Sequence, residues 1–164
     1  MLRWRESRVD DPFAHELLIE YFDGRAEGFP AHQGHYRTTF PVPEDFIAPR
    51  GVFLLAVEET AENPESTTYL GCGGIRHLEA DGPGGARFEV KHLYLRPVAR
   101  GRGLGRALLS ELESRAREFG ASELVLDTNA SLEAAGGLYR SSGYGDIPAY
   151  NENPNATNWY RKVL

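Results

Sequence analysis

Hydrophobic positions recur along this chain with two rhythms, a period of two and a period near 3.6 residues. Residues 2–9 form a short alternating segment that predicts a first strand. Asp11-Pro12 then opens a helix, with the aspartate as N-cap and proline in the first turn, and Phe13, Leu17, Leu18 and Tyr21 give it an apolar stripe. Residues 24–49 are rich in Gly, Pro, His and aromatics and predict a loop with one short helix near 43–48. A loop of that length in a compact domain is usually functional. Three strands follow: VFLLAVEE from Gly51, Thr67 to Leu78 with Cys72 as a small packing residue, and Arg87 to Leu95. Turns around Asn63-Pro64 and at EADGPGGA separate them, which is the pattern of an antiparallel meander.

Leu104 to Phe119 carries Leu104, Ala107, Leu108, Leu112, Ala116 and Phe119 on one helical stripe, and Gly120 stands where a C-terminal cap belongs. SELVLD at 122–127 predicts a buried strand parallel to 88–95, reached through that helix by a right-handed crossover. A short helix from Leu132 to Ser141 stops at Gly143, and the tail ends in a strand expected at the sheet edge. The fold class is therefore α+β, a mixed α/β sheet: a meander, then a βαβ crossover, with helices on both faces and residues 1–164 as a single domain.

Composition narrows the partners. With 164 residues, 41% of them hydrophobic and 26% charged, the chain is globular and large enough for a real core. A net charge of −6 argues against broad contact with nucleic acid and favours a cationic small partner. No window approaches the roughly 18 apolar residues of a membrane span. The opening MLRWRESRVDDPF has no apolar core of a signal peptide, and the single Cys72 allows no internal disulfide, so the expected compartment is the cytoplasm. No cluster has metal-ligand spacing, so no metal is expected.

Arg96, Arg100, Arg102 and Arg106 are concentrated in an otherwise acidic chain. On its own this could be a solvated basic face. The glycines beside them sharpen it: Arg100-Gly101-Arg102-Gly103-Leu104-Gly105 joins a strand to an amphipathic helix. Missing Cβ atoms admit phosphate oxygens to the backbone, and the free N–H groups and dipole of a helix start attract them. A Walker loop would end in Gly-Lys-Ser/Thr, which is absent. A dinucleotide fingerprint would have Gly or Ala where Arg106 stands, although Asp127 ends the next strand where a ribose-binding acid could sit.

This region resembles the GNAT superfamily of N-acetyltransferases. The family signature, Arg/Gln-x-x-Gly-x-Gly/Ala at a strand-to-helix turn, is matched by Arg100, Gly103 and Gly105; the wider run EVKHLYLRPVARGRGLGRALL resembles the core motif, and AAGGLYRSSGY resembles the second cofactor-contacting motif. The likeness spans residues 52–146. It implies acetyl-CoA as donor, held by Leu93, Tyr94, Leu95, Arg100, Gly101, Arg102, Gly103, Leu104, Gly105 and Arg106. Family members often carry an asparagine seven residues before the tyrosine of the second motif; here that position is Leu132, and Asn129 is the expected replacement.

Transfer of an acetyl group to an amine needs a deprotonated amine, a stabilised oxyanion and a protonated leaving thiol. An alkylamine has a pKa near ~10.4, so a base is required at neutral pH. The resemblance makes Glu89 the leading base and Tyr139 the acid, while His92 and His77 are rival bases because imidazole titrates in the right range. It puts the oxyanion donor among the backbone N–H groups of Leu93 to Leu95, where the family's strand carries a bulge. Lys91 is expected to face solvent. The acceptor pocket is expected from the 28–50 loop and the tail, with Phe29, Tyr36, Tyr150 and Trp159 as walls and Glu44 or Glu152 to hold a cation. The expected partner is a small-molecule amine, with no nucleic acid or membrane, and a homodimer is allowed. The competing class is a non-catalytic acyl-CoA-binding sensor, which needs the phosphate loop but not Glu89 and Tyr139 together.

Overall fold

The computed structural model of the protein describes residues 1–60, 66–79 and 85–164. The chain runs β1 (Leu2–Glu6), α1 (Pro12–Glu27), β2 (Gly51–Glu59), β3 (Thr67–His77), β4 (Arg87–Leu95), α2 (Leu104–Glu118), β5 (Glu123–Thr128), α3 (Glu133–Ser141), β6 (Gly145–Asp146) and β7 (Asn158–Val163). Among the described residues these strands form one sheet in the order β1-β2-β3-β4-β5-β7-β6. The first four are antiparallel neighbours, β4 and β5 are parallel, and β7 is antiparallel to β5.

The period of two in β2 divides the core. Val52 and Leu54 join Ile75, Phe88, Leu108, Leu112 and Leu124 under α2, while Phe53, Leu55 and Val57 pack with Leu17, Leu18 and Phe22 of α1. Tyr139 brings α3 onto the α2 side. The helices thus cover both faces, as the sequence pattern predicts. Asp11 caps α1, accepting from the amides of Phe13 (2.9 Å) and Ala14 (3.5 Å).

Two expectations are corrected. The stripe of α1 that enters the core is Ala14, Leu17, Leu18 and Phe22. Phe13 lies one residue off that stripe, is exposed, and stacks on Tyr69 at 4.2 Å. The terminal strand is not an edge either: β7 sits between β5 and β6, because the two residues of β6 close the sheet beyond it. The turn at Asn63-Pro64 and most of EADGPGGA lie outside the described residues.

The pairing of β4 with β5 positions the site. It runs only through Arg87↔Glu123, Phe88↔Leu124 and Glu89↔Val125. Beyond these pairs the two strands part, and a cleft opens in the middle of the sheet.

Candidate active site

The strand-to-helix loop is shaped by its backbone. Gly101 and Gly103 have φ of +72° and +74°, a left-handed conformation that an L side chain reaches only with strain. Gly103 precedes α2 without any side-chain cap, so the first amides of the helix are left for a ligand. A Cβ at Gly103 would meet no protein atom within 4 Å, so the space in front of the loop is open. These are the features a pyrophosphate needs, and the loop fits one.

The four arginines do not share that task. Arg100 lines the cleft, its Nε donating to the Leu95 carbonyl at 3.0 Å. Arg96 instead binds Glu20 (2.7 Å) and Glu16 (2.5 Å) of α1 and the Tyr69 carbonyl (3.0 Å). Arg102 pairs with Glu58 of β2 at 2.8 Å, and Arg106 reaches the end of α3 through Ser141 Oγ at 2.7 Å. Adjacent residues in a turn project in different directions, so a cluster in sequence becomes three ties to three elements and one residue in the cleft.

The cleft encloses about 1000 Å³. One wall is the second half of β4, which carries the bulge. Tyr94 pairs with Cys72 and Lys91 with Gly74, so His92 and Leu93 together oppose Gly73. His92 takes φ +57°, and its ring turns to the α1 face against Phe22 (5.4 Å), Tyr21 (5.6 Å) and Phe46 (6.1 Å). The Arg96 amide donates to Leu70 on the β3 side. By strand alternation the amides of Leu95 and Leu93 point the other way, toward the cleft.

Among the candidate bases, His92 is the weakest. Its Nδ1 is sealed from solvent without a partner, and burial, then Lys91 and Arg76, push the imidazole down to about 3. His77 packs edge-on against Phe88 at 5.2 Å and does not line the cleft. Cys72 is fully buried, with Sγ 3.6 Å from the His92 carbonyl, and burial pushes its thiol far up. Glu89 is 1% exposed. Its Oε1 accepts from Arg76 (Nε 3.0 Å, Nη2 2.9 Å), Lys91 Nζ stands 3.8 Å away, and its Oε2 accepts from the Tyr150 hydroxyl at 2.6 Å. Glu89 therefore lies one layer behind the cleft. Lys91 lines the cleft rather than facing solvent, because it extends on the side of Glu89 just before the bulge.

Tyr139 lines the cleft from α3, 8% exposed, with Tyr144 and Tyr160 at 6.0 and 6.1 Å. Burial pushes its phenol up to about 12, Arg25 working against this and Asp127 with it. Asn129 is committed within the protein: its amide donates to Gln33 (2.7 Å) and the Asn155 carbonyl (3.1 Å), and its oxygen accepts from Ser131. Leu132, not Asn129, lines the cleft.

On the acceptor side Tyr36 lines the cleft as expected, with Phe29 packed edge-on behind it at 5.7 Å. Tyr150 covers Glu89, and Trp159 supports Asn151 at 2.9 Å. Glu44 and Glu152 are exposed and do not line it; its acids are Asp127 and Glu133. Asp127 accepts from Asn151 at 2.7 Å. Sequence reasoning passed it over as an acceptor residue, although a lone acid closing the apolar run of β5 was the available signal. Among the described residues no group of His, Cys, Asp or Glu side chains is placed to hold a metal. No helix among them is long and apolar enough to cross a membrane.

Residues 12–144 match the acetyltransferase (GNAT) family. An IAA acetyltransferase of Azospirillum brasilense is 40% identical over 142 residues, 87% of this chain and 82% of that protein. The L-amino acid N-acyltransferase MnaT of Escherichia coli (strain K12) is 34% identical over 84 residues, 51% of this chain; the match spans 46% of its length. A GNAT-family acetyltransferase structure from Staphylococcus aureus Mu50 superposes with a TM-score of 0.72 at 15% identity, covering 100% of this chain and 99% of that one, and so shares the fold.

Proposed function

The chain belongs to the acetyltransferase (GNAT) family, N-acetyltransferases that use acetyl-CoA as donor, and from that premise we propose that it acetylates the primary amine of a small molecule by direct transfer. The observation that carries the proposal is one cleft lined together by Arg100 and Gly105 of the glycine loop, Tyr139 of α3 and Asp127 of β5. When bound, acetyl-CoA supplies the acetyl thioester. Arg100 and the amides at the start of α2 hold the pyrophosphate. The amides of Leu93 and Leu95 donate to the thioester oxygen, where negative charge develops.

The amine nitrogen forms the new amide bond as the C–S bond breaks. The amine proton passes by way of a water to the Tyr150 hydroxyl, which stands behind the cleft lining, while Tyr150 gives its own proton to Glu89 Oε2, a transfer supported by their 2.6 Å contact. Tyr139, protonated at neutral pH, would donate to the departing sulfur, although burial pushes its phenol up to about 12 and makes it a weak acid. A cationic small acceptor, suggested by the net charge, is not favoured by the cleft, where Arg25, Arg37, Arg76, Lys91 and Arg100 outnumber Asp127 and Glu133. The test is free-thiol release from acetyl-CoA with a panel of primary amines. Turnover with small amines is expected. Tight acetyl-CoA binding with no turnover on any amine would favour the non-catalytic sensor.

A further inference from the structure

Two opposite charges enter the acceptor end of the cleft from different elements. Arg25 comes from the last turn of α1, its guanidinium over the rings of Tyr36 (5.3 Å) and Tyr21 (6.0 Å). Asp127 comes from the end of β5 and is fixed by Asn151, itself fixed by Trp159. Neither makes an ion pair among the described residues. The other cations of the cleft differ: Arg76 is paired with Glu89 and Asp45, Lys91 stands at Glu89, and Arg100 belongs to the donor loop. Arg37 is exposed, with its backbone tied to Asn155. Arg25 is therefore the cation inside the acceptor end with no carboxylate of its own. Both charges act on the same phenols, Tyr21, Tyr36 and Tyr139, with opposite sign. Phe22, Phe40 and Phe46 line the same cleft.

We infer that this end of the cleft recognises an α-amino carboxylate: Arg25 takes the carboxylate, Asp127 the amine, and the phenylalanines an apolar side chain. A zwitterion presents its two charges on adjacent carbons, so one small ligand satisfies both protein charges at once. Each contact is a charge-assisted hydrogen bond in a partly dry site. Asp127 anchors the nitrogen near Tyr139 but is not the terminal proton acceptor, which remains Glu89. The inference rests on the acetyl-transfer reading and adds the class of acceptor to it.

The experiment is steady-state thiol release at saturating acetyl-CoA with apolar L-amino acids, each beside its amide and its decarboxylated amine. In the wild type the free acid should exceed its amide in kcat/KM by about 10- to 100-fold, chiefly through KM, the usual worth of a hydrogen bond to a charged group. Arg25→Met should bring that ratio close to one and Arg25→Lys should keep part of it, which separates recognition from misfolding. Asp127→Asn should lower kcat/KM for all three forms of the amine. Both Arg25→Met and Asp127→Asn should retain acetyl-CoA affinity by calorimetry. Equal use of acid and amide by the wild type, or equal losses on both in Arg25→Met, overturns the inference while leaving acetyl transfer intact. No turnover with any amine overturns both.

Discussion

The two ends of the cleft are made of different material. The proposed donor end is backbone: two left-handed glycines, the uncapped start of α2 and the inward amides of Leu93 and Leu95, all within residues 93–105. Arg96, Arg102 and Arg106 of that stretch turn away to tie it to α1, β2 and α3. The acceptor end is side chain: Arg25, Tyr36, His92, Asp127 and Asn151, drawn from segments distant in sequence. A backbone site survives most side-chain changes around it, whereas a side-chain site is rewritten by one or two. The same scaffold can thus keep its donor and exchange its acceptor.

The difference can be attacked at either end. The largest effect is expected from Glu89→Gln, which cannot accept a proton. Acetyl transfer should fall by roughly 10² to 10⁴ while acetyl-CoA affinity is kept, and raised pH should restore part of it by deprotonating the amine. Because half-buried Arg76 loses its nearer carboxylate and keeps only Asp45 at 3.8 Å, unfolding by urea should also show a loss of about 1–2 kcal/mol. Full activity in this variant would end its role as proton acceptor.

Gly103→Val strikes the donor end. The Cβ enters open space, so the fold should survive, but the left-handed turn is strained and the phosphate approach blocked. Calorimetry should show acetyl-CoA affinity reduced by about 100-fold. Wild-type protein binding NAD more tightly than acetyl-CoA would break the donor assignment itself.

His92 sharpens the acceptor end through stability. Its folded pKa, about 3, lies below the ordinary value of 6.5, so below pH 6.5 the unfolded chain binds a proton that the folded one refuses. Stability then falls with pH by about 1.4 kcal/mol per unit, or roughly 2 kcal/mol between pH 6.5 and 5. His92→Asn, which tolerates the positive φ, should remove that share of the acid sensitivity in urea titrations. An unchanged pH dependence would mean the imidazole is hydrated.

The smallest effect is expected from Tyr139→Phe, roughly 10-fold in kcat. A phenol near pKa 12 is a weak acid toward a thiolate of about 8.5, so its proton assists departure only modestly. Stopped-flow or steady-state thiol release would check it, and raised pH should help this variant less than Glu89→Gln.

How much of this was legible in sequence follows the same division. The bounds of β4, the helix after it and the glycine loop were readable because period, capping and loop chemistry are local. The stripe of α1 was misplaced by one residue because Phe13 is more hydrophobic than Ala14, yet helical geometry buries Ala14. The two residues of β6 are too few for any period to register. Lys91 was assigned to solvent because nothing local revealed the bulge at His92. Glu89 stands out in sequence by position alone, but the lid that Tyr150 makes over it spans 61 residues of sequence and no local rule reaches that far. Asp127 read as a strand exit because its partner, Asn151, comes from beyond α3.

The parting of β4 and β5 has a mechanical consequence. The sheet is two half-sheets stitched together at one end, β1 to β4 on one side and β5, β7 and β6 on the other. Open strand edges usually lie at a sheet's border, where they are guarded against stray pairing. Here a pair of them lies in the interior, facing each other across the cleft. An extended ligand laid between them acts as a splint, bridging half-sheets whose strands are otherwise paired at only three positions. Occupancy should therefore be felt as rigidity across the whole sheet, with amides on both open edges becoming protected from exchange together although they belong to opposite halves.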